Sequence, residues 1–79
     1  MNEKILIVDD IFDNISIVMN YLQELNCELY FATSGEQAFQ RVAAVVPDLI
    51  LMDVMMPGLN GYETVAKIKE VEEYSNIPI

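Results

Sequence analysis

Three aspartates close two short apolar runs in this sequence. Asp9 and Asp10 follow residues 4–8 (KILIV), and Asp53 follows residues 48–52 (DLILM). A carboxylate is a competent nucleophile toward phosphorus, forming an acyl phosphate. It is also a hard oxygen ligand. Three carboxylates gathered in one crevice repel one another, and nothing basic in the sequence is obviously placed to neutralise them. A divalent cation removes the conflict. Magnesium suits it best, because it takes oxygen ligands, keeps several waters and is often held by one or two carboxylates plus a phosphate. Such an ion bridges a bound phosphoryl group and neutralises its developing charge. Taken singly, each aspartate reads as readily as a solvated turn or a helix cap. The chemistry therefore depends on whether the fold brings all three together.

The pattern around them predicts alternating strands and helices. Residues 4–8 are a continuous apolar, β-branched run, as in a strand buried on both faces. Ile11, Ile15, Val18, Met19, Leu22 and Leu25 then recur at helical spacing, with Asn26 suited to a left-handed stop. Residues 28–32 predict a second strand. Ser34 and Gln37 form a capping-box pattern that opens a helix over residues 36–45, and Val46-Pro47 ends it.

Residues 48–52 predict a third strand, and Pro57-Gly58 a turn. Asn60 can cap a last helix whose buried stripe is Val65, Ile68 and Val71, with Glu70, Glu72 and Glu73 as its solvated end. Ile77-Pro78-Ile79 reads as the opening of a fourth strand, and Cys27 as a small buried hydrophobe. Helical crossovers of this length give a parallel sheet covered on both faces. In such a sheet the carboxyl ends of the strands share one edge, where ligands bind. Neighbouring first and third strands would bring the three aspartates together there.

Composition bounds the rest. Seventy-nine residues, 53% of them apolar, predict one small packed domain with a thin stability margin. Thirteen acidic residues face only Lys4, Arg41, Lys67 and Lys69, for a net charge of -9. That balance argues against nucleic-acid binding and against an anionic membrane surface. No apolar run has the length of a membrane span, and no signal-peptide pattern opens the chain. One cysteine and no histidine exclude an internal disulfide, an ordinary zinc site and a Ser-His-Asp triad. Cysteine usage points to a reducing compartment, the cytoplasm. With no general base, oxyanion donor or cofactor motif, an enzyme with its own external substrate is not expected.

In combination, ILIVDD, ATSGEQAF and PDLILMDVMMPGLNGYE resemble the receiver domain of two-component response regulators, across residues 1–79. The resemblance implies an α/β, flavodoxin-like, doubly wound parallel sheet of order 2-1-3-4-5, with the sequence stopping after the start of strand four. It implies that Asp53 is phosphorylated and that Asp9 and Asp10 bind magnesium, Asp10 as the direct ligand. Met55 would add a backbone carbonyl to the metal site, and Pro57 and Gly58 would shape the loop. The implied donor is a phosphohistidine on a sensor histidine kinase or phosphotransfer protein, or a small acyl phosphate. The implied outcome is a switched partner or output domain.

The family's phosphoryl-contacting Thr or Ser, its Lys and its aromatic switch residue have no counterpart in these residues. Loss of such a charge-stabilising contact costs on the order of 2–4 kcal/mol of transition-state stabilisation. A second expectation follows, that of a truncated product of a longer regulator. It would be a receiver-like fragment that is not phosphorylated and acts through exposed apolar surface. Exposure of the third strand's edge also predicts homo-oligomers through that edge.

Overall fold

The apolar runs form strands β1 (Glu3–Val8), β2 (Cys27–Ala32) and β3 (Leu49–Met52) in the computed structural model, which describes residues 3–53 and 61–79. The strands make one parallel sheet of order β2-β1-β3, the first three positions of the expected flavodoxin-like order. β1 lies in the centre, and its last four residues are all buried. Successive side chains alternate between the faces, as the pleat requires. Leu6 and Val8 enter one core and Ile5 and Ile7 the other. Residues 77–79 do not form a strand, but the Ile50 N–H donates to the Pro78 carbonyl at 3.0 Å. The expected fourth strand is thus represented by one ladder bond beside β3.

Helix α1 (Phe12–Leu22) lies on one face, and α2 (Gly35–Val45) and α3 (Gly61–Glu70) on the other. α1 ends three residues earlier than its apolar periodicity predicts. Gln23 N–H closes the helix on the Met19 carbonyl, Leu25 is 58% exposed, and Asn26 is not left-handed. The chain has only residues 23–26 in which to reverse before Cys27 enters the sheet opposite Glu3, so strand pairing overrides the helical pattern.

At α2, the Ser34 hydroxyl accepts from Gln37 N–H at 3.1 Å, as expected. The reciprocal arm lands one residue early, for the Gln37 side-chain carbonyl accepts from the N–H and hydroxyl of Thr33. The helix ends on Val46 at φ 52°, a left-handed conformation that a β-branched residue adopts at a cost of about 1–3 kcal/mol.

The stripe of α3 is also displaced. Thr64 and Ile68 are buried, whereas Val65 and Val71 are half-buried. Glu70, Glu72 and Glu73 are exposed as expected, but the chain beyond Glu70 forms a separate 3-10 turn (Glu72–Tyr74) whose Tyr74 enters the core. The Lys69 ammonium fixes this segment by donating to the Ser75 and Ile77 carbonyls, each at 2.8 Å. Among the described residues, no helix is long and apolar enough to cross a membrane.

Candidate functional site

Each inner carboxylate is carried by a backbone bond that prolongs the sheet beyond its strands. Asp9 N–H donates to the Ala32 carbonyl at 3.2 Å, and Asp53 N–H to the Val8 carbonyl at 2.9 Å. Because β1 and β3 are neighbours, the aspartates that follow them emerge side by side. Asp9, Asp10 and Asp53 each offer a carboxylate oxygen within 4.8 Å of the others. Asp9 and Asp53 are half-buried and Asp10 is exposed. The convergence expected from strand order is present.

The start of α1 orients Asp9. Ile11, at the N-cap, has no side chain that could accept from the free helical N–H groups. Asp9 supplies the acceptor instead. Its Oδ1 takes the Ile11 N–H at 3.0 Å, and its Oδ2 takes the Asn14 side-chain amide at 3.3 Å. The helix dipole favours a negative charge at this end. Asn14 was not singled out by the sequence reading. The signal was a side-chain amide in the first turn of a helix that lacks a capping residue.

The site opens into a cavity of about 330 Å³, with Asp9, Asn14 and Asp53 at its polar end. Ile7, Val18 and Leu51 form an apolar wall on the α1 side. The donor set fits magnesium, being all oxygen. Oxygens that share one octahedral magnesium at 2.0–2.1 Å lie at most about 4.2 Å apart. A spread of 4.8 Å therefore needs a small contraction, or one contact made through a retained water. The Asp9 oxygens that accept hydrogen bonds each keep a lone pair for a metal. Met55, Pro57 and Gly58, expected to complete and shape the site, lie outside the described residues, as does the Asn60 cap.

Comparison with known proteins agrees with this geometry. Residues 5–79 match the response regulator receiver domain family. The response regulator PleD of Caulobacter vibrioides is 37% identical over 79 residues, which are 100% of this chain and 17% of PleD. The chemotaxis response regulator CheY4 of Vibrio cholerae aligns with a TM-score of 0.94 at 30% identity, covering 100% of this chain and 66% of that one. The response regulator TrrA of Thermotoga maritima, in complex with Mg(2+)-BeF, aligns with a TM-score of 0.81 at 32% identity. That match covers 86% of this chain and 59% of TrrA. The chain thus spans a small part of PleD and less than two thirds of either solved regulator. A three-aspartate edge on a β2-β1-β3 parallel sheet, matched along nearly its whole length, places the chain in the response regulator receiver domain family, whose members are phosphoacceptors of two-component systems.

Proposed function

We propose that Asp53 accepts a phosphoryl group and that Asp9, Asp10 and Asp53 hold the magnesium ion on which the transfer depends. The observation that carries this reading is the approach of three carboxylate oxygens to within 4.8 Å at the mouth of an open cavity. A relative at 32% identity, TrrA, solved with Mg(2+)-BeF, supports the same use of the site. In the transfer, an Asp53 oxygen attacks the phosphorus of a phosphohistidine. An O–P bond forms as the P–N bond breaks, and the electron pair leaves on the imidazole nitrogen, which takes up a proton. Magnesium, when bound, supplies positive charge against the phosphoryl oxygens.

The chain's own residues supply position. Asp53 is held by its N–H bond to Val8, and Asp9 is turned toward the cavity mouth by Ile11 and Asn14. Asp10, the exposed member, is the direct ligand. The donor is a sensor histidine kinase or phosphotransfer protein in the cytoplasm. The module has no external substrate of its own; phosphorylation changes its surface for a partner or output domain.

Intact-mass spectrometry after incubation with acetyl phosphate tests this reading, with and without magnesium, on the chain and its Asp53→Asn variant. One phosphoryl addition that requires both magnesium and Asp53 is expected. Addition that persists in the variant, or that ignores magnesium, would refute the assignment. No addition to a chain that circular dichroism shows to be folded would make these residues a packing or interaction unit.

A further inference from the structure

Among the described residues β2 is an end strand, and one of its backbone edges has no neighbouring strand. The Ala32 carbonyl accepts from Asp9 N–H and so faces β1. By strand alternation, the backbone groups of Cys27, Leu29 and Phe31 face outward. The Phe31 carbonyl agrees, for it accepts from Arg41 Nε at 3.1 Å on that outer side. Cys27 N–H is likewise used, by the Leu25 carbonyl at 2.8 Å. Four outward groups remain without a partner among the described residues: the Cys27 carbonyl, both groups of Leu29 and the Phe31 N–H.

We propose that this edge binds a second copy of the chain, antiparallel, across a two-fold axis at Leu29. In that register the two facing Leu29 residues exchange both of their hydrogen bonds, and each Phe31 N–H meets the Cys27 carbonyl of the other copy. All four open groups on each strand are then used. The groups left over, Cys27 N–H and the Phe31 carbonyl, are the two already bonded within the chain.

Side chains agree with the same register. On the α1 side, Leu29 meets its own copy and Cys27 meets Phe31, an apolar stripe. On the α2 side, Glu28 stands opposite Tyr30 of the other copy. Arg41, fixed at the level of Phe31, comes beside the opposite Glu28. Opposite charges thus face each other twice, once on each side of the axis.

The helices leave room for this pairing. α2 lies over β1 and β2, so strands about 4.8 Å apart would bring the two α2 helices to about 10 Å, an ordinary packing distance. An open groove of about 270 Å³, lined in part by Tyr30, Arg41, Ala44 and Val45, lies where they would meet. At β3, where the sequence predicts self-association, the Pro78 carbonyl already occupies the Ile50 N–H.

Sedimentation equilibrium from micromolar to near-millimolar concentration tests the register. Each copy carries a net charge of -9, so moderate salt is needed to screen the repulsion. The expected result is a reversible dimer that Glu28→Lys and Arg41→Glu each weaken by about tenfold or more, and that the double variant restores. Circular dichroism on each variant confirms that the fold is retained. A monomer throughout the range, a dimer indifferent to both single substitutions, or a double variant no tighter than the singles would each overturn the proposal.

Discussion

The two faces of the sheet are built from alternate residues of the same strands, yet they are filled to different depths. On the α2/α3 side Leu6, Val42, Ile50 and Ile68 are almost wholly removed from solvent, and Tyr74 and Ile77 close the rim. On the α1 side Ile15 is the buried residue of the helix, Val18 and Met19 are half-buried, and Ile17 and Tyr21 are 54% and 79% exposed. Strand sequence alone does not decide burial; the number of elements laid over each face does. The α2/α3 side therefore carries most of the stability. The α1 side carries the cavity, whose apolar wall continues from the acidic mouth.

Paired truncations give the largest contrast. Leu6→Ala is expected to cost about 3 kcal/mol, and Ile17→Ala less than about 0.5 kcal/mol, in urea unfolding. Equal losses would break the distinction between the faces. A sharper cut within the stable face is Lys69→Met, which removes both carbonyl contacts of the ammonium. We expect a loss of about 1–2 kcal/mol together with faster hydrogen exchange at the Ile50 amide, whose acceptor Pro78 lies in the tethered segment. Unchanged exchange at Ile50 would show that the segment docks without the lysine.

The smallest effect is a pH dependence on the same face. Burial, then the charge and hydrogen bond of Glu28, raise the Tyr30 phenol above its ordinary 10.0. The unfolded chain therefore ionises first as pH rises. This contribution to stability is fully present below the ordinary value and is lost as pH climbs toward the raised one. Between about pH 9 and pH 11 the unfolding midpoint of the parent should fall more than that of Tyr30→Phe. Identical falls would remove Tyr30 from the account.

Much of this was legible in residue order. The apolar runs marked all three strands to within a residue, and Ser34 marked the start of α2 because its signal is local. Asp9, Asp10 and Asp53 were legible as strand-end acids, and their convergence needed only that β1 and β3 be neighbours. What remained hidden is long-range. Leu25 continues a helical pattern that pairing at Cys27 interrupts. Tyr74 sits in a 3-10 turn too short to show a period, and Lys69 acts through carbonyls six and eight residues away. Asn14 looked like any polar residue of a first turn until Asp9 was seen to accept from it.

The ladder bonds that carry Asp9 and Asp53 past their strands have a consequence in time. Exposed side chains change rotamer within picoseconds to nanoseconds, whereas central sheet bonds open only with large-scale unfolding. The backbones that carry Asp9 and Asp53 are therefore held in place with the sheet, whereas the exposed Asp10 side chain reorients quickly. Were the proposed magnesium to bind, it would meet two carboxylates whose backbones already stand in place, so its capture would need no refolding of the strands that carry them.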